Sequence, residues 1–205
     1  MKIGIAFRRS PGRSKRWCRI VLRFQRNQNG ATAVEFALIA VPFLALLFAI
    51  IEIAMMFWTT QILEESLSQT ARSLLTGQSQ TRYASGSATA NRDAFKNDLC
   101  ANASFPMIDC AKLFVDVRTY TTFGTASSGT NGSNPIGGGG MNTSGFTYSQ
   151  PQAGQIVVVR AALEYSLFFT QWSEALANIG SGKRGIVATT AFKAEPFAPP
   201  APPRP

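Results

Sequence analysis

The chain has 205 residues, room for one modest domain with extensions, and a formal net charge of +9. It contains no histidine, which removes Ser-His and Cys-His catalysis and argues against a zinc site. The charge is one-sided: Lys2, Arg8, Arg9, Arg13, Lys15, Arg16, Arg19, Arg23 and Arg26 put nine positive charges and no acid into residues 1–30, while the rest holds 11 basic and 11 acidic groups.

A basic block of this kind points to nucleic acid, an anionic membrane or a topology signal, and the segment next to it decides. No basic face with interleaved aromatics occurs downstream, so nucleic acid is not an expected partner. The next segment is Phe36–Trp58, 23 residues with the single charge Glu52. As a helix it spans roughly 35 Å, enough for the ~30 Å hydrocarbon layer. It is apolar on every face, unlike the core helix of a soluble domain, and Phe57 and Trp58 suit the far interface. Pro42 inside it is either a tolerated membrane proline or a functional kink. The positive-inside rule keeps residues 1–30 in the cytoplasm and exports the chain beyond about residue 59. A cleaved secretory signal is disfavoured, because leader and apolar core are both long and no small-x-small site comes after them. The expected location is a bacterial inner membrane, single-pass, with the C-terminal domain periplasmic and membrane lipids as partners. For Glu52 two readings stay open: snorkelling outward, or an intramembrane contact with a partner.

Ahead of the apolar run stands Asn29-Gly30-Ala31-Thr32-Ala33-Val34-Glu35-Phe36. A carboxylate at the edge of a span costs about 2–3 kcal/mol unless solvated or paired. Cleavage between Gly30 and Ala31 would create an ammonium four residues before Glu35, on the same helix face. At ~4 Å and an effective dielectric near 20 that pair gains about 4 kcal/mol before desolvation. Cleavage would also leave the side chains of the mature chain formally neutral.

Gly30, four residues, then Glu35-Phe36 and an apolar helix resemble the processing site of type IV prepilins in the variant used by Flp (Tad) pili. Phe114-Val115-Asp116-Val117-Arg118, Ile156-Val157-Val158-Val159-Arg160, and Phe192 with Glu195-Pro196-Phe197 are similar to TadE-family pseudopilins. Ala194 departs from the pattern, which has a polar residue there. The resemblance implies cleavage after Gly30 by a prepilin peptidase whose catalytic aspartates belong to that partner. It also implies a low-abundance component that supports assembly of the major pilin, with other Tad pseudopilins and inner-membrane assembly-platform proteins as partners.

Past Trp58 the helix continues. Ile62, Leu63, Leu67, Ala71, Leu74 and Leu75 recur at three- and four-residue steps, so one helix over about 33–75 is predicted, ended by Gly77. Its stripe faces either its own domain or another pilin-like helix. Residues 78–90 read as a loop. Asn91–Asn102 reads as a helix with Asn91 as N-cap and Asp93 in the first turn. Leu113–Phe123, Gln155–Phe168 and Ile186–Lys193 read as strands, and Gln171–Ile179 as a short helix closed by Gly180. Gly124–Gly154 reads as a long loop with nine of the 17 glycines. Its Gly137–Gly140 run lacks the Gly-Lys-Ser/Thr of a phosphate-binding loop. Cys100 and Cys110 pair if exported to an oxidising compartment; the alternative is two free buried thiols. Cys18 belongs to the cytosolic leader, unpaired. The tail from Pro196 to Pro205 carries six prolines and reads as extended.

The expected fold is therefore α+β. A long transmembrane helix, residues 31–76, comes after the cleaved leader and leads into an exported domain, residues 77–195, with a roughly three-stranded antiparallel sheet and short helices. Asp93, Asp98, Asp109, Asp116, Glu164 and Glu174 are available carboxylates, yet none sits in a catalytic pattern, so no enzyme and no cofactor are expected. The competing readings are a tethered envelope enzyme, a sensor, or an adhesin using the glycine-rich loop.

Overall fold

A computed structural model describes residues 29–103, 106–131, 134–137, 139–169 and 174–197. The basic leader with Cys18, the first residues of the predicted helix Gln171–Ile179, and the tail beyond residue 197 lie outside the described residues. The chain forms two compact units, Met1–Leu47 and Phe48–Pro205.

The first unit contains the opening stretch of helix α1 (Asn29–Leu75). The chain is already helical at Asn29, four residues before the predicted start, since nothing between Asn29 and Ala33 except Gly30 opposes helical backbone. Val34, Phe36, Leu38, Ile39 and Val41 are each more than half exposed. Pro42 is accommodated without ending the helix. Such a surface is consistent with a single-pass membrane anchor. By length and composition α1 is the one helix among the described residues able to cross a membrane.

The second unit is an antiparallel sheet in the order β1 (Leu113–Tyr120), β4 (Ile156–Ser166), β5 (Lys183–Lys193). This is the α+β class and the three-stranded sheet the sequence predicts. Central β4 is a nearly unbroken apolar run because both its faces are covered. On one face Val157, Val159, Ala161, Leu163 and Tyr165 join Leu113, Val115 and Val117 of β1 and Ile186 and Ala188 of β5. Onto them pack Leu63, Leu67, Ala71 and Leu74 of α1, and Phe95 and Leu99 of helix α3 (Ala88–Asn102). Burying each leucine contributes about 1.5–3 kcal/mol. The amphipathic stripe of α1 therefore faces its own domain.

On the other face a smaller cluster of Ala126, Ile156, Val158 and Tyr120 forms under helix α4 (Phe123–Asn131). This helix corrects the expected loop over 124–154 and shortens the predicted strand Leu113–Phe123 by three residues. The Thr122 hydroxyl accepts from the Thr125 N–H at 3.2 Å and opens the helix. Gly129 lets the Tyr120 ring approach; a Cβ there would sit 2.7 Å from it. The rest of that segment holds a small ribbon, β2 (Ile136–Gly137) with β3 (Gly140–Met141), and a bridge between Tyr148 and Val117.

Three further boundaries differ from the predictions. The predicted loop 78–90 contains one helical turn, α2 (Ser79–Arg82). Helix α3 is capped by Ser87, in extended backbone, whose side chain accepts from the Ala90 N–H. Asn91 is no cap; it is buried in the helix and its Oδ1 accepts from the Ser85 hydroxyl at 2.6 Å. Asp93 accordingly falls beyond the first turn. Strand β5 starts at Lys183, three residues before the predicted Ile186, because it pairs with β4 to Ser166.

Gly77 does end α1: its φ of 77° is left-handed, and the Phe197 ring lies where a Cβ would be. The Glu195 N–H donates to the Leu75 carbonyl at 3.0 Å, so the chain's closing segment caps the helix C-terminus. Ala194, the departure from the family pattern, is buried, with its N–H on the Gln155 carbonyl. A polar side chain there would be buried and would need a hydrogen-bond partner.

Candidate functional site

Two segments of α1 carry the residues singled out in the sequence. In the first unit, Gly30, Ala31, Glu35 and Phe36 form exposed helix. A Cβ at Gly30 would meet nothing within 4 Å, and Gly30 has no positive φ. Neither packing nor backbone geometry requires glycine at this position. No ion pair joins Glu35 to another described residue.

In the second unit the buried stripe of α1 begins earlier than its apolar periodicity suggests. Glu52 is 1% exposed, succeeded at helical spacing by Met56, Thr59, Leu63, Ser66 and Leu67. The Glu52 carboxylate does not snorkel. It accepts from the Phe168 N–H at 3.1 Å and from the Phe169 N–H at 3.3 Å. These amides belong to the turn Leu167–Phe169 after β4, which is why the strand stops at Ser166 and not at the predicted Phe168. The Leu167 N–H donates to the Gly182 carbonyl, which fixes the turn from its other side. The Phe48 and Phe169 rings lie 5.0 Å apart, and Phe168 meets Tyr165 edge-on at 6.4 Å. Glu52 thus bonds to backbone amides of its own chain. Sequence reasoning missed Phe168 and Phe169 because Phe168 read as the end of a β-strand and Phe169 fell between that strand and the next predicted helix.

Five further carboxylates, Asp93, Asp98, Asp109, Asp116 and Glu164, make ion pairs. Asp116 is 1% exposed and accepts from the Arg118 Nε and the Thr147 N–H through Oδ1 and from the Arg160 guanidinium through Oδ2. Arg160 is itself buried, with its guanidinium 5.5 Å from the centre of the Phe146 ring. The pair sits in register across β1 and β4. Asp98 takes a two-pronged bond from Arg82 and one from the Tyr83 hydroxyl. Those bonds hold its carboxyl below the usual range, while burial and Asp98 push Tyr83 up to about 12. Glu164 pairs with Lys183, and Asp109 accepts from the Ala111 N–H beside Lys112. Asp93 faces Arg92. The side chain of Glu174 lies outside the described residues. Among the described residues no group of three His, Cys, Asp or Glu could hold a metal.

Cys100 and Cys110 form a disulfide, with Cα atoms 6.0 Å apart. It ties the end of α3 to the short 3₁₀ turn Cys110–Lys112 that enters β1.

The family of TadE-like proteins matches residues 30–72, which covers most of α1 and none of the sheet. No curated protein and no solved structure matches the chain.

Proposed function

Starting from a chain that is TadE-like over residues 30–72, we propose that it is a minor pseudopilin of a Flp (Tad) type IVb pilus system. In this reading it is anchored in the inner membrane by α1, with its domain in the periplasm. A prepilin peptidase cleaves after Gly30 and removes the basic leader. The ammonium of Ala31 then meets Glu35, on the same chain or on a neighbouring subunit, and the processed helix joins other Tad pseudopilins and the assembly platform.

The observation that carries this reading is the exposed Gly30–Phe36 segment at the mouth of the TadE-like helix. Its glycine answers no demand of packing or of backbone conformation. A requirement for glycine there would have to come from an outside reader, and a peptidase that must fit the backbone into its cleft is such a reader. The binding of Asp98, Asp109, Asp116 and Glu164 by arginine, lysine or backbone N–H groups supports an assembly role over a tethered enzyme.

N-terminal sequencing of protein recovered from membranes, with and without the peptidase, tests the proposal. The expected terminus is Ala31 with the peptidase and Met1 without it. A Gly30→Leu chain processed as efficiently as the natural one, or Met1 as the only terminus in both strains, would overturn it.

A further inference from the structure

We propose that the turn Leu167–Phe169 is a second membrane contact, in which the Phe168 and Phe169 rings enter the leaflet on the domain's side of the bilayer. This rests on the reading of α1 as a membrane helix. Phe168 is 57% and Phe169 is 38% exposed, large for neighbouring aromatic side chains of a folded domain. They are not isolated: the turn lies against Phe48–Glu52 of α1, where Ile50, Ile51 and Ile53 are also exposed. That level is inside the apolar run, which ends at Trp58, six residues and about 9 Å further along the helix. The exposed rings and the exposed helix face thus form one apolar surface, and the part of it on α1 is the part that lipid covers.

A turn at that depth exposes amide groups that hydrocarbon cannot satisfy, and a carboxylate at that depth is equally costly alone. Glu52 and the turn answer each other, since Oε1 accepts from the Phe168 N–H and Oε2 from the Phe168 and Phe169 N–H groups. Lys112 and Lys183 stand at the base of the turn, around Ser166, but each also faces an acid. The contact is therefore aromatic, and it does not depend on anionic lipid.

The test uses the full chain in vesicles of zwitterionic lipid, in a Cys18→Ser background that keeps the disulfide. A fluorophore is placed by Phe169→Cys and, in a second protein, by Phe168→Cys. Ile50→Cys serves as the helix control and Ala88→Cys, on exposed α3, as the aqueous control. Lipid brominated near the headgroup end of its chains should quench the turn probes by about half, as for a site ~5–10 Å into the interface. Adding anionic lipid should leave this unchanged. Turn probes quenched by aqueous iodide like Ala88 would overturn the proposal while Ile50 remains lipid-quenched. So would probes shielded from both quenchers, which would mean that another protein surface covers the turn. An Ile50 probe that lipid cannot quench would instead remove the membrane reading itself, and this inference with it.

Discussion

At the scale of single residues, two buried acids do opposite jobs. Glu52 satisfies backbone amides, whereas Asp116 neutralises arginine. Glu52→Leu strands the Phe168 and Phe169 N–H groups, at about 1–3 kcal/mol for each buried amide left unpaired. Hydrogen exchange should show these two amides opening faster in Glu52→Leu, with Glu52→Gln intermediate because it keeps one acceptor oxygen. Equal exchange in all three proteins would mean that the clamp contributes nothing. Asp116→Asn leaves Arg160 buried with its charge uncompensated, and breaking such a pair costs about 3–5 kcal/mol. A thermal melt should show that loss. The double change Asp116→Val with Arg160→Met should recover most of it, because it removes the charge together with its need. Both acids were visible in the sequence, but their partners were not. Asp116 and Arg160 are separated by 44 residues and Glu52 and Phe168 by 116, so only strand register and docking bring them together.

At the scale of elements, what was legible depended on periodicity and what was lost depended on partners. The three strands were readable because β-branched residues are concentrated in them, and the central one read as continuous apolar sequence because both its faces are covered. The stripe of α1 was readable from Ile62 onward. Its beginning at Glu52 was hidden, because inside an all-apolar run a packed face and a lipid face have the same composition. Helix α4 was hidden by glycine and serine, which disfavour helix on their own. It persists through the Thr122 cap and the packing of Ala126 on Ile156 and Val158. The disulfide links two elements across a separation of ten residues. Closing so short a loop stabilises by about 2–3 kcal/mol in the chain-entropy picture. Replacing both cysteines by serine should lower the domain's stability by that amount in a denaturant melt, and reductant should do the same to the natural chain. A melt insensitive to both would show that the 3₁₀ turn holds its place without the bond.

At the scale of the whole molecule, the division of labour tracks charge. Nine basic residues precede the apolar run and the remainder is formally balanced, so in the proposed single-pass reading the orientation signal lies in the leader. Each basic residue near an anionic leaflet is worth about 1 kcal/mol. Changing the leader arginines to glutamine should therefore produce a mixed population, with part of the domain on the cytoplasmic side in a protease-protection assay. Uniform orientation after that change would place the signal elsewhere. The long apolar helix, the α+β class and the glycine–glutamate spacing were legible in the sequence alone, because each is a local pattern of apolar length, periodicity or spacing. Where the domain meets α1 was decided only by tertiary structure. A turn after β4 and an acid in an apolar helix each carry an unmet hydrogen-bonding need, and only the folded chain sets one against the other.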